Sequence, residues 1–126
     1  MLGDFLASLQ LGDTFILGEG GHLWIVISDP AKNGGSFIIA NLTTDKWRAG
    51  MHCELNCGDH KWITEKCFVN FGDARVVNPA EEARIVALIA AGRIIKHFPI
   101  KDAILQKIIL AGKQSKALSI NKKKYL

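Results

Sequence analysis

The sequence predicts a mainly β fold: a small, strongly bent barrel of about five strands, with two or three helices in all, most of them C-terminal. Two observations carry this. Short β-branched and aromatic runs separated by Gly-rich turns occupy residues 14–77, and a helical period of 3.6 replaces that pattern from Asn78 onward. At 126 residues the chain has the size of one domain that buries a core without disulfides or metal. The expected organisation is one domain over 1–126, with a short N-terminal helix and the barrel in 1–77 and a helical extension with a basic tail in 78–126.

Each element has its own signal. Asp4 is placed to cap a short helix from Phe5 to Leu9, which Gly12-Asp13 ends. Thr14 to Leu17 reads as a strand and Gly18-Glu19-Gly20-Gly21 as a flexible link. Leu23 to Ile27 is apolar without alternation, the pattern of a strand covered on both faces, and is read as the central strand. Ser28 to Gly35 collects Asp, Pro, Asn and Gly between two apolar runs, which makes a hairpin loop. Ser36 to Leu42 is the returning strand and delivers Thr43, Thr44 and Asp45 at its end. Cys67 to Val77 carries apolar residues on both sides of Gly72-Asp73, which fits either a tight hairpin or one bulged strand.

Asn78-Pro79-Ala80-Glu81 then supplies a capping residue, a proline suited to the first helical position and a glutamate three residues after the cap, so a helix starts here. Ile85, Leu88 and Ile89 form its inner stripe, and Gly92 ends it. Beyond Pro99 a second helix, about Lys101 to Ala111, shows Ile104, Leu105, Ile108 and Ile109 on one face, with Gly112 as its stop.

The formal net charge is +4, and many of the cations follow Arg93. Such an excess favours an anionic partner such as RNA, DNA or an acidic protein segment, while Lys122-Lys123-Lys124 also reads as a solvated tail. No apolar run approaches the roughly 20 residues needed to span a bilayer, and no signal peptide is visible, so no membrane partner is expected. The three cysteines, Cys53, Cys57 and Cys67, do not form a secreted disulfide framework, and a cytoplasmic location is expected.

Chemistry is expected on Gly58-Asp59-His60-Lys61-Trp62, where a carboxylate, an imidazole and an ammonium adjoin on a turn with an aromatic ring behind them. His60, tuned by Asp59 and Lys61, suits general acid or base work; alternatively Gly58-Asp59 is only a turn and His60 its neighbour. His22, at the mouth of the central strand, is a second candidate, or else a hydrogen-bonded histidine at a strand start. Thr43 and Thr44 could hold a phosphate and Arg48 clamp it, against the alternative of solvated strand-end residues. Trp47 and Trp62 are open to base stacking, whereas Trp24 reads as core or pocket wall. His52, Cys53, Cys57 and His60 have the residue types of a zinc site but not its spacing, with buried thiols as the alternative. Neither a metal nor another cofactor is expected.

In its order, Gly20-Gly21-His22, an apolar strand, a Pro-Gly loop, Ala40-Asn41-Leu42-Thr43-Thr44, and then a strand near 67–77 and a helix, the chain resembles the PemK/MazF-like toxin proteins over roughly Leu11 to Leu88. The resemblance implies an SH3-like barrel, a place in a toxin–antitoxin module, metal-independent endoribonuclease activity on single-stranded RNA, an antitoxin protein as partner and a homodimer. In that family an Arg-Pro pair opens a strand and a Thr-Ser-like pair ends a later one. His22 falls near the arginine position and Thr43-Thr44 on the second pair. The Arg-Pro pair itself is missing, so charge stabilisation would have to come from Arg48 or Arg75.

Three readings follow. The first is a divergent toxin-like RNA-cleaving protein in which His22 and His60 exchange the proton, Thr43 or Thr44 orients the phosphate and Arg48 or Lys61 stabilises charge. The second is a non-catalytic binding module on the same barrel, for protein or nucleic acid. The third is a small metal-binding protein. Two histidines close in space beside a cation would favour the first; histidines on opposite faces of the barrel would favour the second.

Overall fold

A computed structural model describes residues 8–17, 21–44 and 53–126. Its strands are β1 (Thr14–Leu17), β2 (His22–Val26), β3 (Phe37–Thr43), β4 (Glu54–Leu55), β5 (Cys67–Val77) and β6 (Ile95–His97). The helices are α1 (Pro79–Ala90), α2 (Asp102–Gln114) and α3 (Ile120–Lys123), with a 3₁₀ turn at Pro30–Lys32. All six strands join in one antiparallel sheet of order β4-β5-β3-β2-β1-β6, curled into a half-barrel. The expected mainly β fold with C-terminal helices is therefore present. The helix expected over Phe5 to Leu9 lies mostly outside the described residues; at its end, the buried Leu9 donates its N–H to Glu82 Oε2 at 2.9 Å.

Alternation along the strands sorts side chains onto two faces. Leu23, Ile25 and Ile27 of the β2 segment join Ile38, Ala40 and Leu42 of β3, Val69 and Phe71 of β5 and Leu55 of β4 in one buried cluster. Residues from both halves of the sheet meet in that cluster, as they must on the face that a curled sheet encloses. α2 caps it through Leu105 and Ile108, together with Ile100 and Leu118. The opposite face carries a second cluster of Phe15, Trp24, Val26, Phe37, Ile39 and Val77, against which α1 lays Ile85, Val86, Leu88 and Ile89. The β2 run is thus covered on both sides, which is why its sequence does not alternate.

Cys67–Val77 is one bulged strand. Its register with β3 runs Asn41↔Asn70 and then Ile39↔Arg75, so residues 71–74 of β5 stand against Ala40 alone. The irregularity changes the strand's parity. Val69 points to the enclosed face before it and Phe71 and Ala74 do so within it, leaving Arg75 and Val77 for the other face.

The helix starts follow their local chemistry. Asn78 Oδ1 accepts from the Glu81 N–H at 2.9 Å while Glu81 Oε1 accepts from the Asn78 N–H at 3.2 Å, a complete capping box with Pro79 behind it. Gly92, with φ +75°, ends the turn after α1. Beyond the expected elements, residues Ile95–His97 add β6 to the edge beside β1, and one expectation needs correction. Gly112 does not stop α2, which continues to Gln114. It is small because a Cβ there would stand 2.9 Å from Leu126 and 3.1 Å from the Phe71 ring, so the helix could not sit this close to the sheet.

Replacing the fully buried Ile25 by alanine should cost about 2–5 kcal/mol in urea unfolding, and a loss below about 1 kcal/mol would show that β2 is not core. Gly112→Val should cost about 1–3 kcal/mol by overpacking against Phe71 and Leu126, whereas a helix stop that tolerates the change would show no such loss.

Candidate functional site

The second face of the sheet is only partly covered by α1. Beyond the helix, toward the start of β2, lies a cavity of about 280 Å³. His22 and Trp24 reach it from β2, Asn41 and Thr43 from β3, and Asn70, Asp73 and Arg75 from β5, with Leu17 of β1. The parity change in β5 assembles this set, because simple alternation would send Asn70 and Arg75 to opposite faces. Asn70 Nδ2 donates to Asp73 Oδ2 at 3.2 Å across the bulge, and Lys122 Nζ holds the bulge from the far side by donating to the Ala74 carbonyl at 2.7 Å.

Within the cavity the histidine has one committed nitrogen. His22 Nδ1 lies 3.1 Å from the Leu42 carbonyl, which can only accept, so Nδ1 carries a proton and Nε2, on an exposed residue, is left without a partner among the described residues. The Arg75 guanidinium lies over the Trp24 ring, 4.7 Å from its centroid. A proton acceptor, a carboxylate and a fixed cation therefore share one half-open space. That combination can move a proton and stabilise a developing anion.

His60 is used differently. It is only 5% exposed, and both ring nitrogens are engaged. Nδ1 accepts from the Trp62 N–H at 3.0 Å, so Nε2 bears the proton and donates to the Phe98 carbonyl at 2.6 Å. Thr14 Oγ1 donates to the same carbonyl at 2.6 Å and lies 3.3 Å from Nε2. These bonds tie the loop after β4 to β1 and to the end of β6, so His60 spans the gap between the two edges of the curled sheet. Lys101 reinforces the closure by donating to the Gly58 carbonyl at 3.1 Å, and Lys61 stands 4.5 Å from the centre of the Phe98 ring. Asp59 Oδ2 accepts from the Asn56 N–H at 2.8 Å, closing the turn in which Gly58 has φ +99°.

The structure therefore brings some expected residues together and separates others. His22 and Thr43 share the cavity. Thr14, to which His60 is bound, belongs to the enclosed side with Ile16, while His22 follows the parity of Trp24. The two histidines thus lie on opposite faces of the sheet. Thr44 and Trp62 line a separate, mostly apolar cavity of about 340 Å³ with Ile63 and Cys67. Asp59 and Lys61 belong to the closing loop, and Trp47, Arg48 and His52 lie outside the described residues.

Asp73, Asn41 and Asn70 were not singled out from the sequence. A signal existed: Asn41 and Asn70 are single amides each flanked on both sides by apolar residues, and a buried polar residue is more informative than an exposed one. Arg75, named above as a substitute for the missing arginine, does reach the cavity.

Cys53 and Cys67 are buried in the enclosed core and Cys57 is exposed. Burial pushes the Cys53 thiol above its ordinary value, with Asp59 adding to the rise and Lys107 opposing it. The Cys67 thiol is pushed up to about 11 by burial first, then by Asp59, Cys53 and Glu65. Both are core thiols and not nucleophiles at neutral pH. Among the described residues no three His, Cys, Asp or Glu side chains form a cluster able to hold a metal ion, and no helix is long and apolar enough to cross a membrane. Compared with models of known protein families and with curated proteins, the chain matches none.

At neutral pH a thiol reagent should label Cys57 in the folded protein and reach Cys53 and Cys67 only on unfolding; rapid labelling of all three would contradict their placement. The raised thiols contribute stability that is full below about pH 9.0, the ordinary thiol value, and fades as pH rises toward about 11 for Cys67, because the unfolded chain releases those protons first.

Proposed function

We propose that the cavity on the outer face binds single-stranded RNA and cleaves it by internal attack of a ribose 2′-hydroxyl, without a metal. The observation that supports this most is the convergence of His22, Asp73 and Arg75 in one space, with His22 Nε2 left without a hydrogen-bond partner among the described residues. In this reading His22 Nε2 takes the 2′-hydroxyl proton as the oxygen bonds to phosphorus. Arg75 stabilises the charge that gathers on the phosphoryl oxygens. The departing 5′ oxygen takes its proton from water in the half-open cavity, while the Asp73 carboxylate in the same lining offsets the positive charge that His22 acquires. Thr43 lies close enough to the same cavity to orient the phosphate, while His60 is removed from the chemistry because both of its nitrogens are engaged.

This proposal keeps the activity implied by the resemblance to PemK/MazF-like toxins and changes its residues. A toxin role, an antitoxin partner and a homodimer remain part of the same proposal and rest on that resemblance alone. Cytoplasmic location likewise rests on the reducing environment that the free thiols suggest.

A second reading has an observation of its own. The histidines lie on opposite faces, the placement that favours a non-catalytic binding module, and Arg75 in the cavity can hold a phosphate without any cleavage. Long RNA of mixed sequence, incubated with chelator between about pH 5 and 8, separates the two. The cleaving reading predicts products with a 2′,3′-cyclic phosphate, a rate loss of about 10²–10⁴-fold in His22→Ala and a smaller loss in Asp73→Asn, with the fold intact in both. His60→Gln should instead lower the melting temperature. Retained RNA with no products at any pH would leave the binding module in place of the enzyme.

A further inference from the structure

Asn41 carries a hydrogen-bonding group that the fold leaves unused. It sits in mid-strand, with Trp24 of β2 and Asn70 of β5 as its cross-strand neighbours on the same face. The residue is only 6% exposed, yet it lines the cavity. Its Oδ1 is the one buried side-chain polar atom among the described residues that has no hydrogen-bond partner. A protein seldom buries such an acceptor without a donor; no hydrogen bond to the described residues fixes the carboxamide, and a half-turn of it brings the acceptor to the cavity wall, where a ligand can supply the donor.

We propose that Asn41 reads a nucleobase bearing an exocyclic amino group, adenine before cytosine, in the RNA bound at this cavity. The inference rests on the RNA reading above and adds to it the base and the residue that selects it. An unpaired carbonyl oxygen requires an N–H donor. A carboxamide sets that acceptor beside an amide donor, the pattern that complements an adenine amino group and its neighbouring ring nitrogen. The surroundings agree. The Asp73 carboxylate, already oriented by Asn70, adds a second acceptor to the wall, which suits an amino group and repels the carbonyl edge of uracil. At about 280 Å³ the space falls near the lower end of small-molecule sites, enough for one planar ring. Trp24 lines the space with Arg75 over its ring, and the exposed Arg75 can pair with the adjoining phosphate.

The test compares short labelled oligo(rA), oligo(rC) and oligo(rU) by fluorescence anisotropy at one salt concentration, with adenosine titrated separately by calorimetry. Wild type should bind oligo(rA) about tenfold to a hundredfold more tightly than oligo(rU), the scale of one base-reading contact, with oligo(rC) between. In Asn41→Leu the affinity for oligo(rA) should fall to that for oligo(rU). The melting temperature should hold or rise, because an orphaned acceptor has been removed; an amide with a purely structural role would lower it. Asn41→Ala provides the same comparison if leucine does not fit. Equal binding of oligo(rA) and oligo(rU) by wild type, or a preference that survives in both variants, overturns the inference. Adenosine bound through Asn41 with no oligomer bound would remove the RNA reading and keep the base site. Absence of binding by every probe would overturn this inference as well.

Discussion

Everything on the outer face depends on a parity constraint. Side chains of a strand alternate between the faces of its sheet, so a strand that begins by feeding one core continues to feed it unless a residue is inserted. β5 begins with Val69 and Phe71 in the enclosed core and ends with Val77 under α1. The bulge at residues 71–74 makes both possible. One consequence is structural, because each core receives its apolar residues. The other is chemical: Asn70, Asp73 and Arg75 arrive at one cavity beside His22. Lys122 and Asn70 secure the bulge from its two sides, which ties the C-terminal helix to the geometry of the opposite face.

The same split separates two histidines that look alike in the sequence. His60 fills a gap in the barrel wall, donating to one carbonyl and accepting from one backbone N–H. His22 spends one nitrogen on the Leu42 carbonyl and keeps the other. Several lysines of the basic C-terminal region are committed in a comparable way. Lys101, Lys107 and Lys122 donate to the backbone carbonyls of Gly58, Glu54 and Ala74, and Lys96 pairs with Asp13 at 3.3 Å. Lys107 and Lys122 fasten α2 and α3 to the sheet, and among the described residues the cation at the cavity is Arg75, from within a strand.

How much of this was legible follows from the range of the signals. Local ones read well: Thr14–Leu17, the β2 run, the Asn78-Pro79-Ala80-Glu81 helix start and the Ile104, Leu105, Ile108 and Ile109 stripe are each set by neighbouring residues. β6 was not legible, because three residues with two exposed side chains become a strand only through pairing with β1. Gly112 was misread because nothing nearby in sequence reveals that Phe71 and Leu126 press on it. The site suffered most. A turn rich in Asp, His and Lys advertises chemistry, while a set built by three strands and a bulge shows in sequence only as isolated Asn, Asp and Arg residues among apolar ones.

The central claim is that the outer-face histidine is available for chemistry and the loop histidine is consumed by the fold. Nitrogen-15 chemical shifts of the four imidazole nitrogens, measured on the folded protein at neutral pH, test it most directly. The hydrogen bonds require a protonated Nδ1 at His22 and, in contrast, a bare Nδ1 with a protonated Nε2 at His60. The account predicts that an added RNA oligomer moves only the His22 signals. A shared tautomer at both residues, or a response to RNA at His60 with none at His22, would contradict it.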